Sequence, residues 1–125
     1  MTIQAAIDMI DSLKVNTFET HQKVAWLSDL DGMVWGDIIT THEGVPDGVT
    51  YKGYDQATES DTVLLVPEPY TDIYKHYMAM QMDAANRDNT EYAKDKMLFN
   101  AAWQILCDYW NRKHLPISRV KQLRF

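Results

Sequence analysis

Ile3, Ala6, Ile7, Ile10 and Leu13 recur at intervals of three and four residues, and the same interval returns in three later stretches of the chain. That period gathers side chains on one face of an α-helix and scatters them on a strand. The stretches run at about 2–15, 17–42, 69–87 and 90–114, so an all-α fold is predicted. The expected architecture is a four-helix bundle-like domain around one core. Helices three and four form its central hairpin, because the junction at 87–90 is too short for anything but an antiparallel pair.

Capping residues mark the ends. Thr2 precedes the first stripe and can cap it; Asn16 and Glu19 have capping-box spacing ahead of the second. In helix two, Val24, Leu27, Leu30/Asp31, Val34 and Ile38 form the stripe, widened by Trp26, Met33 and Ile39. Gly32 and Gly36 lie four apart in it, and each costs up to about 1 kcal/mol against Ala. Two physical reasons to keep them are close approach of another backbone and a break between two half-helices. Pro67-Glu68-Pro69 reads as the start of helix three, since Pro suits a first helical position. Asp88 and Glu91 form a second capping-box candidate before helix four. There, Asp95, Leu98/Phe99, Ala102, Ile105/Leu106 and Tyr109 trace the stripe, flanked by Tyr92, Trp103 and Trp110.

Between helices two and three the period fails. Gly44, Pro46, Gly48 and Gly53 interrupt a polar run, with Val49–Tyr51 and Thr62–Val66 as its two strand-like pieces. A connection this long in a small domain is usually functional or disordered. Residues 43–66 are therefore expected to form a long, partly extended loop projecting from the body. Its part at 43–62 is expected to be the most mobile internal segment.

The chain has 125 residues, enough for a single helical domain at 1–125 and too few for two cores. No apolar run is long enough for a membrane helix, and the first residues carry Asp8 and Asp11 with no basic region, unlike a signal peptide. No membrane partner is expected, and the reading is of a soluble, cytosolic protein. One cysteine, Cys107, excludes an internal disulfide. Net charge is −6, divided unevenly: residues 1–86 carry −10, residues 87–125 carry +4. From Arg112 onward there are five bases and no acid, and 115–125 reads as a basic C-terminal tail. The overall charge disfavours general nucleic-acid binding. The tail is expected to meet an acidic surface, on its own chain or on a neighbour.

Constellations that carry chemistry are weak. His21, His42, His76 and His114 are dispersed, with no spacing that puts two ligands on one helical face. Asp29 and Asp31 face apart on a helix. Cys107 lies beside the apolar stripe of helix four and reads as an inert buried thiol. No phosphate loop is present. The chain is expected to be non-enzymatic, with no catalytic residue, cofactor or metal site. The four Trp and seven Tyr are many for such a core. Core packing accounts for most of them, and a surplus suits a subunit interface. Candidate interface residues are Trp26, Trp35, Tyr70, Trp103, Trp110, Arg112, Arg119, Lys121 and Arg124.

Two segments carry a resemblance. One is Trp26-Leu-Ser-Asp-Leu-Asp-Gly32 continuing to Ile38-Ile-Thr-Thr-His42. The other is Leu64-Leu-Val-Pro-Glu-Pro-Tyr70, then Ile73-Tyr-Lys-His-Tyr77, Gln81-Met-Asp-Ala-Ala-Asn86, Phe99-Asn100 and Tyr109-Trp-Asn-Arg-Lys-His114. Together they resemble small proteins from the structural modules of tailed bacteriophages and prophages, similar to head–tail connector (adaptor, head-completion) proteins. The resemblance covers about two thirds of the chain. It implies a helical subunit of a homo-oligomeric ring below the portal, at the virion neck, built in the bacterial host cytoplasm. The implied partners are further copies of the chain, the portal protein and neck or tail-completion proteins, with DNA passing through the ring rather than being bound specifically. The rival readings are a small helical regulatory protein that binds one protein partner, and a nucleic-acid binder that uses the basic tail.

Overall fold

A computed structural model of the chain describes residues 1–117. The first helix, α1, spans Ile3–Leu13, and the Thr2 hydroxyl accepts the Ala5 N–H at 3.1 Å, the predicted cap. Ile3, Ala6, Ile7 and Ile10 are buried, but Leu13, the last residue of the predicted stripe, is 60% exposed.

Helix α2 spans Thr20–Met33, starting later than expected. Its N-cap is Glu19 and not Asn16. The Glu19 N–H donates to Gln22 Oε1 at 2.9 Å while the Glu19 carboxylate takes the Gln22 N–H, closing a capping box one step further along. Asn16 instead donates to Asp11 Oδ1 (3.1 Å) and to the Lys14 carbonyl (2.9 Å), shaping the turn out of α1. The stretch to His42 is not continuous α-helix: Val34–Ile38 forms a π turn and Ile39–Thr41 a 3-10 turn. Neither glycine admits a second backbone. A Cβ on Gly36 meets nothing within 4 Å, and one on Gly32 meets the Tyr51 ring at 3.5 Å. The break takes the form of a change in winding. Its loose carbonyls are capped by side chains: Thr40 donates to Gly36 O (3.0 Å), and Thr41 to Asp37 O (3.1 Å) and Ile38 O (2.8 Å).

Helices α3 (Asp72–Ala85) and α4 (Asn89–Lys113) form the expected hairpin. Asp88 caps α4 by accepting the Glu91 N–H at 3.1 Å, and Arg87 turns the chain at φ 57°. Pro67 and Pro69 do not open α3. The Tyr70 N–H donates to the Pro67 carbonyl (2.9 Å), closing a turn that includes the cis Glu68–Pro69 peptide, and the helix begins after it.

Eight residues of α3 are buried, from Ile73 to Asp83, whereas α4 buries two of its 25, Asp95 and Leu106. Helix contacts run α1–α2, α1–α3, α2–α3 and α3–α4. The central element is therefore α3. Helices α1 and α2 cover part of it, and α4 lies along another part as an outer layer. No strand ladder forms among the described residues, and none of their helices is long and apolar enough to cross a membrane.

Residues 43–66 do not project as a unit. Positions 46–50 are exposed, but the later part is strapped to the body. Val63 pairs with Thr2 as an isolated antiparallel bridge, the Ile3 N–H reaches Thr62 O (3.0 Å), and the Leu64 N–H reaches Met1 O (2.9 Å). Leu64 and Val66 are buried, and Tyr51 donates to the Ser28 carbonyl at 2.8 Å. The expectation fails because Tyr51, Tyr54, Leu64 and Val66 supply the burial that the glycines and polar residues do not. The two strand-like pieces, Val49–Tyr51 and Thr62–Val66, form no bridge with each other.

Candidate interaction face

The aromatic residues of the α3–α4 hairpin form two ladders. Tyr77, Phe99 and Trp103 succeed one another at 5.4 and 6.1 Å between ring centroids. Tyr70, Tyr109, Trp110 and His114 follow at 4.6, 5.9 and 5.3 Å, the last pair stacked. Trp26 packs edge-on to Phe18 at 5.3 Å, and Trp35 is half-buried against the core. The expected interface aromatics, Trp26, Trp35, Tyr70, Trp103 and Trp110, are thus all half-buried and packed within the chain. Arg112 is exposed in the last turn of α4. Arg119, Lys121 and Arg124 lie outside the described residues.

The apolar side chains that reach solvent are aliphatic. Met97 (74%), Leu98 (43%) and Ile105 (54%) are exposed, with Ala101 between them. Their spacing of three and four residues makes a second apolar stripe on α4, on a face other than the one carrying Asp95, Phe99 and Leu106. Its signal was in the sequence, where the apolar sector of helix four is too wide for one partner. A shallow groove of about 260 Å³ between Tyr70, His76, Leu98 and Ile105 continues the stripe toward α3.

Charged groups fasten the rest of the body. Lys14, at the end of α1, bonds Asp83 of α3 and lies 3.4 Å from Asp95 of α4. Burial pushes the Asp83 carboxyl up to about 6, helped by the neighbouring Asp95 and opposed by Lys14. Asp95 is held below its ordinary value: hydrogen bonding to Asp83 and the charge of Lys14 outweigh its own burial. Lys23, 5% exposed, pairs with Asp11 at 2.6 Å. Asp31 is fully buried and accepts from Tyr54 (2.6 Å), Tyr74 (2.6 Å) and the Leu65 N–H (3.0 Å). Burial raises its carboxyl, and those three donors oppose the rise. These are fastenings between elements and offer no open carboxylate for chemistry.

Cys107 is half-buried rather than buried, and its thiol is pushed up by burial and then by Asp108 and Asp37. It is held as a thiol, not an activated thiolate. Among the described residues no group of three or more His, Cys, Asp or Glu is placed to hold a metal ion.

The chain end is docked on its own body as far as the described residues extend. The Glu43 N–H donates to Leu115 O (2.8 Å) and the Ile117 N–H to Thr41 O (2.7 Å). The first residues of the expected tail, 115–117, therefore lie against their own chain. Along α4, Lys94, Lys96, Arg112 and Lys113 are exposed; Lys94 pairs with Glu91 at 2.8 Å, and Asp108 is an exposed acid in the later half of the helix. No family model, curated protein or solved structure matches the chain.

Proposed function

We propose that the chain is a structural subunit that associates with copies of itself, as a head–tail connector or adaptor ring protein of a tailed phage or prophage. The observation that carries the reading is α4. It is a 25-residue helix that buries two residues in its own chain and shows Met97, Leu98 and Ile105 to water. A contiguous exposed apolar stripe marks a surface that another protein covers. The sequence resemblance supplies the phage setting, and its longer segment coincides with the Pro67–Tyr70 turn and the α3–α4 hairpin that presents the stripe. In this reading the four helices act as one bundle-like body. The partners are further copies, the portal protein and neck or tail-completion proteins. The subunit is made in the host cytoplasm and ends at the virion neck, where DNA passes through the ring without specific binding. No catalytic step is assigned to it.

Size-exclusion chromatography with light scattering, on the chain alone and with a portal protein, tests this. A mass of several subunits, or a ring on the portal seen by electron microscopy, is the expected result. A chain that remains monomeric at every concentration and ignores the portal overturns it in favour of a one-partner regulator.

A further inference from the structure

The open face of α4 has a centre, Ala101. Met97 and Ile105, both exposed and apolar, stand four residues to either side of it. Lys94 and Asp108, both exposed, stand seven residues to either side. Glu91, half-buried at the edge of the face, and exposed Arg112 stand ten and eleven residues away. Steps of three and four residues through Lys94, Leu98, Ala101, Ile105, Asp108 and Arg112 keep these side chains on one side of the helix, at the spacing of a helix-pair seam. Leu13, exposed at the end of α1, shares a groove with Leu98 and widens the apolar part. The face is thus apolar on both sides of Ala101, and each base on one side has an acid at the matching place on the other.

We propose that this face pairs with the same face of a second copy of the chain, antiparallel and centred on Ala101. In that register Met97 of one copy meets Ile105 of the other. Ala101 meets Ala101, and so small a side chain at the crossing lets the two helices approach closely. Lys94 faces Asp108 and Glu91 lies beside Arg112, each twice over by the two-fold axis. Laid parallel, the helices set each of the four charges against its own copy, so charge selects the antiparallel arrangement. A face on which every charge meets its opposite after a two-fold rotation is complementary to itself, which is why the occupant is a second copy. Within its own helix Lys94 already lies 2.8 Å from Glu91, and Asp108 accepts from Gln104 at 3.0 Å. Neither contact uses up its group, since an ammonium has three donors and a carboxylate about four lone-pair sites. The pairing therefore extends each Glu91–Lys94 bridge to Asp108 of the other copy. Exposed ion pairs contribute little each. The charges set register and orientation, and the aliphatic side chains supply the affinity. The inference rests on the self-association proposed above and adds which face meets which. A contact of one face with itself closes at two copies, so the pair is the form of the chain in solution and a ring takes a further contact.

The test uses three variants of the full chain, each changed at one exposed position, with circular dichroism as the check on folding. Sedimentation at low salt, where surface charges are least screened, measures their pairing. Ala101→Glu sets two carboxylates against each other at the crossing and is expected to weaken the pair by at least about tenfold. Lys94→Glu alone makes two acid–acid contacts per pair, and Asp108→Lys alone makes two base–base contacts. Each is expected to weaken self-pairing by about tenfold. Mixed in equal amounts, these two variants restore two opposite-charge contacts, so they are expected to pair with each other in preference to themselves. If Ala101→Glu pairs like the unmodified chain, the face is wrong. If the Lys94→Glu and Asp108→Lys chains pair no better with each other than with themselves, the register is wrong even though the subunit associates. An unmodified chain that stays monomeric overturns the pairing outright. Whether that monomer still forms a ring on a portal then decides the assembly reading on its own, so the two failures are distinguishable.

Discussion

The Tyr74 hydroxyl donates to Asp31 Oδ1 at 2.6 Å and accepts the Val66 N–H at 2.9 Å, tying α3, α2 and the strap before α3 at one buried point. Asp31 completes the knot by taking Tyr54 and the Leu65 N–H on its other oxygen. An ionised carboxylate wholly inside a protein is costly unless its lone pairs are occupied. Here three donors occupy them. The arrangement explains how a stretch poor in secondary structure, 51–66, acquires a fixed course.

Tyr74→Phe removes the donor from Asp31 and the acceptor from Val66 while keeping the ring. The expected loss is about 2 kcal/mol, the desolvation left on two buried polar groups. Tyr54→Phe, at a half-buried position that water can partly reach, is expected to cost about 1 kcal/mol. Urea unfolding of both variants checks the order. Equal losses would mean that burial of the hydroxyl is not what sets the energy.

Asp83 gives the stability a pH dependence. Its folded value, about 6, stands above the ordinary 3.8, so protonation favours the folded state. That contribution is complete below pH 3.8 and is lost as pH rises through 6. Asp95, held low, acts in reverse and matters only at lower pH. His76, held below its ordinary value chiefly by burial, opposes Asp83 over part of the same window. The diagnostic is therefore a difference. Asp83→Asn, which mimics the protonated acid, is expected to stabilise relative to the unmodified chain at pH 7.5, by on the order of 1–2 kcal/mol, and to keep only about half of that advantage at pH 5. Denaturant midpoints at the two pH values measure it. A constant difference would show that Asp83 does not titrate in this window.

Much of the fold was legible, and the misses share a cause. Helices α1, α3 and α4 follow from apolar period, Thr2 and Asp88. The start of α2 is hidden because Asn16 and Glu19 have capping-box spacing, yet Asn16 is used by Asp11 and Lys14. The apolar period runs unbroken to Ile38 because periodicity does not register the π turn at Val34–Ile38. Asp31 was placed on the core stripe but not seen as a hub, since its donors lie 23, 34 and 43 residues away. Likewise the strap at 62–66 depends on Met1 and Thr2, and no local pattern announces a pairing across sixty residues. At the interaction face, the width of the apolar sector on helix four was visible. That its aliphatic rather than aromatic side stays open depends on which side α3 takes.

Two glycines separate backbone strain from crowding. Gly48 and Gly53 both have positive φ, 81° and 78°. An added Cβ at Gly48 meets nothing within 4 Å, while at Gly53 it falls 3.0 Å from Ser28 Oγ, the atom that accepts the Tyr54 N–H. Gly48→Ala is expected to cost about 1 kcal/mol from strain alone, and Gly53→Ala about 2 kcal/mol. Thermal melts rank them. Equal melting temperatures would mean that residue 53 moves away from Ser28 freely.

The last prediction concerns the clasp that holds the end of α4. His42 is buried, with Nδ1 at 2.6 Å from the Ile38 carbonyl and Nε2 at 2.6 Å from Asn111 Oδ1. A neutral imidazole carries one N–H, so one contact is a donation and the other requires the Asn111 amide to present its NH2 group. Either orientation joins the end of the 3-10 turn to α4. Beside it, residues 41–43 and 115–117 exchange the Glu43–Leu115 and Ile117–Thr41 hydrogen bonds. Asn111→Ala removes one partner of the ring, and with it the side-chain bond that holds the two segments in register. Global stability is expected to fall by about 1 kcal/mol, because Asn111 itself is exposed and water can take its place. The local effect is expected to be larger: the Glu43 and Ile117 amides should lose hydrogen-exchange protection while those of α3 keep theirs. If protection at Glu43 and Ile117 falls no further than in α3, the clasp opens only with the whole domain, and residues 115–117 are held by their backbone bonds.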